Sequence, residues 1–141
     1  MKPGGGRQKG AAYEREIASI LHGLTGVGFK RDLEQYRSAS RGDLVPDDPD
    51  FPFVIECKRY ASGTTARSGW WEQACNAARA QSKWPALVYR FDRCDTIVRV
   101  PINIFLTKDE GWRSWVEMSL PTFAMVASEL MGENPNGFNV R

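Results

Sequence analysis

Histidine and cysteine are scarce in this chain of 141 residues. The single histidine, His22, excludes a histidine-rich zinc site and most histidine-based catalytic triads, so we expect it to be structural. The three cysteines, Cys57, Cys75 and Cys94, are odd in number and do not have the spacing of metal ligands. We therefore expect reduced thiols and a cytoplasmic protein.

Long apolar runs are also absent. No stretch reaches the length that a transmembrane helix needs, and the first four residues lead into glycines rather than into an apolar signal sequence. The composition, with 42% hydrophobic and 26% charged residues, is that of an ordinary globular protein. We expect one domain over residues 1–141, with no membrane span and no leader sequence.

The net charge of +2 is small, but basic residues are concentrated early in the chain. Eight basic and four acidic residues precede Asp43, which suits contact with a phosphate backbone, although solvated surface charge is the simpler explanation. Residues 1–10 are glycine-rich and every charge among them is positive, which predicts a flexible basic arm. Such an arm either has no role or touches DNA, and its charge favours contact. Residues 132–141 are expected to be a loose tail.

The segment 41–58 contains the most informative pattern. An apolar run starting at Phe53 predicts a buried strand, and its alternation puts Glu56 and Lys58 on one face. The proline- and aspartate-rich residues 46–52 can reverse the chain. This hairpin would bring Asp43 beside Glu56.

Two carboxylates and a lysine at one place suggest a specific chemistry. One or two carboxylates, together with waters and substrate phosphate, are the usual ligands of Mg²⁺. A neighbouring lysine could stabilise a pentavalent phosphate or orient an attacking water. The alternative is that Asp43 serves a turn while Glu56 and Lys58 form an ordinary solvated pair.

The first helix is predicted to begin at Gly10, because its apolar residues recur with helical spacing. These residues are Tyr13, Ile17, Ile20, Leu21 and Leu24. Glu14 and Glu16 flank this stripe at similar angles, so periodicity does not choose which of them faces a site.

Two polar, basic segments lie beside the candidate site. Residues 36–42 lead into Asp43, where Gly42 either admits a phosphate or serves a turn. Residues 59–68 are predicted to be a mobile loop that contacts substrate. A second helix follows over about 69–83, with Pro85 as its terminator, and its Gln73 faces either the site or solvent.

The remainder of the chain predicts three more strands or edge segments and a last helix. Residues 86–91 and 96–100 are predicted to be paired strands, with Arg99 exposed between two valines. Residues 112–118 alternate loosely and suggest an edge strand. Residues 121–130 have helical character.

Four motifs in order resemble the PD-(D/E)xK nuclease core, and more closely the archaeal-type Holliday junction resolvases and their phage-encoded relatives. The motifs are the Lys-Gly-Ala-Ala-Tyr-Glu-Arg run at 9–15, the Arg/Ser-containing approach at 37–43, the Ile-Glu-Cys-Lys motif at 55–58, and Gln73. The resemblance covers roughly residues 7–100. Gly42 stands where the superfamily motif has proline.

This resemblance implies an α/β fold, with a mixed central β-sheet flanked by helices. It implies a Mg²⁺-dependent endodeoxyribonuclease that resolves four-way junctions by paired symmetric nicks, works as a homodimer on branched double-stranded DNA, and uses no small-molecule cofactor. Mn²⁺ is expected to substitute for Mg²⁺. The alternatives are another repair or replication nuclease with this core, or a non-catalytic junction-binding protein.

The resemblance also assigns roles to residues. It implies Glu14, rather than Glu16, as the helix carboxylate. The expected catalytic residues are Glu14, Asp43, Glu56 and Lys58. The expected metal ligands are Asp43, Glu56 and the backbone carbonyl of Cys57, with Glu14 as an additional or outer ligand. The expected DNA contacts are Arg7, Lys9, Arg15, Arg37, Ser40, Arg41, Arg59, Arg67 and Gln73.

Overall fold

A mixed β-sheet flanked by helices forms the fold, as expected, and the described residues contribute six strands and three α-helices to it. The computed structural model describes residues 5–33, 42–107 and 111–132, with side chains from residue 10 onward. The helices are α1 (Gly5–Thr25), α2 (Ser68–Gln81) and α3 (Leu120–Leu130). The strands are β1 (Phe29–Arg31), β2 (Leu44–Pro46), β3 (Phe53–Tyr60), β4 (Trp84–Phe91), β5 (Ile97–Pro101) and β6 (Trp115–Ser119).

The six described strands lie side by side in chain order, and among them only β3 and β4 run parallel. Helix α2 makes the crossover between these two strands, as a parallel pair requires. The other neighbours are antiparallel, and the predicted hairpin pairs Leu44 of β2 with Ile55 of β3. Among the described residues, no helix has both the length and the apolar character to cross a membrane.

The two faces of the sheet carry different helices. Helices α1 and α3 pack on one face, where Ile55 and Cys57 of β3 point. Helix α2 covers the other face through a second group of buried aromatic and small residues, in contact with Leu87 and Tyr89 of β4. Glu56 and Lys58 belong to the α2 face because side chains alternate along β3.

Helix α1 starts earlier than predicted, at Gly5 instead of Gly10. The prediction of a flexible arm over residues 1–10 is therefore wrong from residue 5 onward, and residues 1–4 lie outside the described residues. The run Arg7–Lys9 contains good helix formers, and extending an existing helix needs no new nucleation. The predicted tail at 132–141 lies outside the described residues after Gly132.

The apolar stripe of α1 is narrower than predicted. Tyr13, Ile17 and Leu21 are fully buried, whereas Ile20 and Leu24 are 39% and 48% exposed. At about 100° per residue, the buried face is centred between Ile17 and Leu21 and includes the half-buried Ala18. Ile20 lies at the margin of this face, whereas Leu24 lies in the last turn of the helix, beyond Leu21.

Pro85 does not terminate the second helix, contrary to the prediction. Its last residue is Gln81, and Ser82 follows in a left-handed conformation with φ of 54°. Pro85 lies inside β4, opposite Val54 of β3. The helix therefore stops at a left-handed cap, which is a common way for helices to end.

The prediction that Arg99 is exposed is also wrong. Arg99 is 4% exposed, and its guanidinium lies 4.1 Å from the ring centre of Trp115 and 5.8 Å from that of Trp71. Its Nε donates a hydrogen bond to Glu117 Oε2 at 3.0 Å, and the hydroxyl of Tyr89 donates to the same oxygen at 2.7 Å. Alternation correctly puts Arg99 opposite the flanking valines, but α2 and the tryptophans cover that second face.

Candidate active site

Backbone hydrogen bonds hold Asp43 at the start of the hairpin. Its N–H donates to the carbonyl of Ile55 at 2.8 Å, and its carbonyl accepts from the N–H of Asp32 at 2.9 Å. Its side-chain Oδ2 accepts from the N–H of Cys57 at 2.7 Å. Strands on either side thus fix both the backbone and the carboxylate of Asp43.

Gly42 makes this placement possible. Its φ is 77°, and a Cβ there would lie 2.7 Å from the carbonyl oxygen of Ile55 and 2.7 Å from Val54 Cγ1. A side chain would therefore collide with β3. Of the two predicted roles, a turn with close approach of backbone is the one that the described residues require.

Glu56 and Lys58 follow Asp43 on the neighbouring strand. Glu56 is 1% exposed, and its carboxyl group is in hydrogen-bonding contact with that of Asp43. Lys58 is half-buried and attracts both carboxylates electrostatically. The predicted convergence of two carboxylates and one lysine is present in the structure.

The two carboxyl groups have raised pKa values. Burial, together with the adjacent Asp43, raises the pKa of Glu56 to about 9, while Lys58 opposes the shift. Burial also raises the pKa of Asp43, against the hydrogen bonds that Cys57 and Glu56 make to its carboxylate. The pair therefore disfavours carrying two negative charges, as expected for carboxylates that share one site.

Gln73 of α2 faces this pair. Its Nε2 donates a hydrogen bond to Glu56 Oε2 at 3.3 Å. Of the two placements that the sequence left open, Gln73 therefore takes the one toward the site. From this position it can orient the carboxylate of Glu56.

Of the two helix glutamates, Glu14 is the one near the site. Its Oε1 accepts a hydrogen bond from Arg31 Nε at 2.8 Å, and burial raises its pKa. It also repels the charges of Asp43 and Glu56, so it lies within electrostatic range of both. Glu16 lies elsewhere, with Oε2 3.5 Å from Arg90 Nη1.

Arg31 was not predicted to belong to the site. It lies on the three-residue strand β1 and balances the charge of Glu14. Asp32, which is buried and close enough to raise the pKa of Asp43, was also missed. A strand this short has no periodicity that could assign its side chains to a face, so the sequence carried no signal for either residue.

The oxygen donors suit a hard divalent cation. Within residues 5–33, 42–107 and 111–132, no three side chains among His, Cys, Asp and Glu form a group that could hold a metal ion. The adjacent carboxylates of Asp43 and Glu56 still match the one or two carboxylates that usually bind Mg²⁺. A cation would also offset their mutual repulsion. The predicted contributions of the Cys57 carbonyl and of Glu14 stay predictions.

Several predicted DNA contacts fall outside the described part of the chain. Arg37, Ser40 and Arg41 are not among the described residues, and neither are the side chains of Arg7 and Lys9. Their roles stay predictions.

Three other predicted DNA contacts have described positions. Arg15 is exposed on α1. Arg59 Nε lies 3.3 Å from Asp92 Oδ1. The guanidinium of Arg67 lies over the ring of Tyr60, 4.5 Å from its centre. The role of these three residues as DNA contacts also stays a prediction.

A solved structure has the same fold. Hjc from Archaeoglobus fulgidus, described as a Holliday junction resolvase from an archaeal hyperthermophile, superposes with a TM-score of 0.53 at 15% sequence identity. The match covers 84% of this chain and 98% of that one. At this identity the likeness concerns the fold. No curated protein sequence matches the chain.

A comparison with protein families identifies the family of the chain. A family model described as "Phage putative PDDEXK endonuclease" matches residues 5–124, which include Glu14, Asp43, Glu56, Lys58 and Gln73. The match spans most of the chain. This protein therefore belongs to the PDDEXK endonuclease family.

Proposed function

We propose that the protein is a Mg²⁺-dependent, structure-specific DNA endonuclease that resolves four-way junctions by paired symmetric nicks. The observation that carries the nuclease chemistry is the contact between the carboxyl groups of Asp43 and Glu56, with Lys58 beside them. We expect it to act in the cytoplasm of a bacterial, archaeal or phage-infected cell.

The metal would be held by Asp43, Glu56 and the backbone carbonyl of Cys57, with Glu14 as a further or outer ligand. When bound, Mg²⁺ or Mn²⁺ lowers the pKa of a coordinated water and offsets charge on the scissile phosphate. Because the metal ligands must be deprotonated, the raised pKa values of Asp43 and Glu56 make metal binding compete with protons.

The chain's own side chains supply the remaining chemistry. Lys58 would orient the attacking water or stabilise the negative charge that develops on the phosphate. Gln73 would hold the carboxylate of Glu56 in a fixed orientation through its hydrogen bond. Arg31 would neutralise Glu14 and keep it from adding to the repulsion within the site.

The choice of a four-way junction as substrate is supported by the fold shared with Hjc and by the motif resemblance. Two active sites related by a two-fold axis would cut strands of like polarity, so we propose a homodimer. Recognition would then depend on backbone shape and phosphate positions instead of base edges. The phosphate contacts would include the predicted arginines, among them Arg15 and Arg59.

Cleavage of three substrates of matched sequence tests this function: a synthetic four-way junction, a flap and a linear duplex, each in Mg²⁺. Paired symmetric nicks on the junction alone are the expected result. Preferred cutting of the flap, or equal cutting of all three, would contradict junction resolution and indicate another nuclease with this core. Binding of the junction without cutting in Mg²⁺ or Mn²⁺ would indicate a non-catalytic junction-binding protein.

A further inference from the structure

The last residue of β3, Tyr60, continues the line of site residues toward solvent. Glu56, Lys58 and Tyr60 alternate onto the same face of the strand. Exposure rises along this line, from the buried Glu56 through the half-buried Lys58 to Tyr60, which is 37% exposed. Two strand residues span about 6.6 Å, so Tyr60 lies roughly two base-stacking steps from Lys58.

The ring of Tyr60 is supported from one side by the neighbouring cation and ring. It stacks on Trp70 of α2, with ring centres 4.8 Å apart and an interplanar angle of 28°. The guanidinium of Arg67 lies 4.5 Å from the Tyr60 ring centre and 5.3 Å from that of Trp70. Both groups lie over the Tyr60 ring, and groups on its opposite faces would be much farther apart than 5.3 Å. Arg67 and Trp70 therefore lie on the same side of Tyr60. Neither of them covers its opposite face.

The support behind Tyr60 is rigid. Trp70 is buried and also contacts the rings of Tyr89 and Phe91. The loop that carries Arg67 is pinned at Gly63, where a Cβ would lie 2.3 Å from the ring of Phe91. An aromatic ring held in this way does not need to be ordered when a ligand stacks on it, which favours binding.

A nucleotide base is the kind of ligand that suits this place. The ring is rigid, its face opposite Trp70 is not covered by Trp70 or Arg67, a cation is adjacent, and Lys58 is a short distance away. Base–aromatic stacking is tolerant of sequence because every base has a π-face, and a flanking arginine can contact the backbone phosphate. A continuous duplex keeps its bases stacked on each other and offers none to a protein ring. A nucleotide beside a branch point can offer its base.

We propose that Tyr60 is a stacking platform for one unpaired base that lies within about two nucleotides of the scissile phosphate. This proposal rests on the proposed function, since it deepens the substrate class of that site. It makes Tyr60 a specificity-determining residue that favours branched or interrupted DNA over continuous duplex. Tyr60 itself takes no part in bond cleavage.

The test measures binding and base stacking without cleavage, in the full chain carrying Glu56→Gln. The probes are a four-way junction and a duplex with one unpaired nucleotide, each with the fluorescent base 2-aminopurine at the branch point or the unpaired position. A continuous duplex is the comparison. The stacking signal and the dissociation constant are recorded for each.

Three variants separate the ring from other effects. Tyr60→Leu removes the platform, and Tyr60→Phe restores it without the hydroxyl. Phe105→Leu makes the same aromatic-to-leucine change at a residue that is 48% exposed. Phe105 is a suitable control because it lies at the other end of the sheet from Tyr60. It follows β5, whose end lies beside the start of β4, whereas Tyr60 pairs with Phe91 at the end of β4. Thermal unfolding of each variant verifies folding.

Tyr60→Leu should abolish the change in 2-aminopurine fluorescence and weaken binding of both interrupted substrates by roughly 5- to 100-fold, with continuous duplex unchanged. Tyr60→Phe and Phe105→Leu should behave like the parent. An unchanged signal and affinity in Tyr60→Leu would overturn the proposal, whatever the cleavage assay shows. The fluorescence signal could instead depend on Tyr60 on the unpaired-base duplex while the protein shows no preference for binding junctions. That result would uphold the platform and overturn the junction function.

Discussion

The carboxylate of Asp43 accepts a hydrogen bond from the backbone N–H of Cys57 at 2.7 Å. This bond ties the first acidic residue of the site to the middle of the Glu-Cys-Lys motif on the adjacent strand. Because Cys57 lies between Glu56 and Lys58, the same contact sets the separation of all three functional side chains. The geometry is therefore a property of the β2–β3 hairpin.

The metal-free protein should lose stability as the pH rises. Burial and the neighbouring Asp43 raise the pKa of Glu56 from 4.5 to about 9, so the folded state binds more protons than the unfolded state between these values. The free energy of unfolding must then fall as pH increases across this window. Chemical denaturation in EDTA at pH 6 and pH 9 measures the effect, which we expect to be about 1 kcal/mol or more.

Glu56→Gln is the matched variant for that experiment. It keeps the shape of the side chain, removes its titration, and should flatten the dependence on pH and raise stability at pH 9 in EDTA. Mg²⁺ should stabilise the wild-type protein and have little effect on the variant. A wild-type stability that rises from pH 6 to pH 9 would rule out this view of the acidic pair.

Gln73 should affect catalysis more than stability. Gln73→Ala removes the hydrogen bond to Glu56 Oε2 and frees that carboxylate to rotate. We expect cleavage or metal affinity to fall by about 10- to 100-fold. The control is Gln81→Ala, since Gln81 is an exposed glutamine at the end of the same helix. Equal activities of the two variants would show that Gln73 does not position Glu56.

Gly42→Ala should damage both the fold and the site. The residue has φ of 77°, and its new Cβ would meet the carbonyl oxygen of Ile55. We expect a loss of about 1–3 kcal/mol in the free energy of unfolding, together with slower cleavage because Asp43 moves.

Gly23→Ala is the opposite case. Gly23 lies in α1, and apart from its chain neighbours and the local helix backbone, no atom of the described residues comes within 4 Å of the place that an alanine Cβ would take. Alanine there should stabilise the protein by about 0.5–1 kcal/mol. A Gly42→Ala variant as stable as the wild-type protein would show that close packing against β3 is not the reason for glycine at position 42.

Arg99 should contribute to stability through its buried contacts. Arg99→Ala removes the stacking on Trp115 and leaves Glu117 with only the hydroxyl of Tyr89 among these partners. We expect a loss of about 2–3 kcal/mol, whereas Arg113→Ala, at an exposed arginine, should stay within about 0.5 kcal/mol. A similar small change for both, measured by urea denaturation, would refute a structural role for Arg99.

The hairpin and its acidic pair were predictable from the sequence because local rules determine them. Strand alternation puts Glu56 and Lys58 together, and the proline- and aspartate-rich turn returns the chain to Asp43. Helix α3 was also predicted close to its observed bounds, and β6 overlaps the predicted segment 112–118 from Trp115 onward. None of these inferences needs knowledge of distant parts of the chain.

The choice between Glu14 and Glu16 needed the tertiary structure. The exposed Ile20 lies on the Glu16 side of the buried stripe, so including it moved the predicted centre away from Glu14. The prediction that Arg99 is exposed was wrong for a related reason. Alternation identifies the two faces of a strand, but it does not show whether a helix covers the second face. Arg31 reaches Glu14 only because β1 is placed beside α1.

The nicking rate of a four-way junction by the wild-type protein and by Asp43→Asn, each in Mg²⁺ and in EDTA, tests the central claim most directly. Asparagine keeps the size of Asp43 and an acceptor oxygen for the N–H of Cys57, but it removes the negative charge. We predict nicking by the wild-type protein in Mg²⁺ only, and a rate at least roughly 100-fold lower for Asp43→Asn. Nicking that persists in EDTA, or an Asp43→Asn rate close to that of the wild-type protein, would contradict the proposed chemistry.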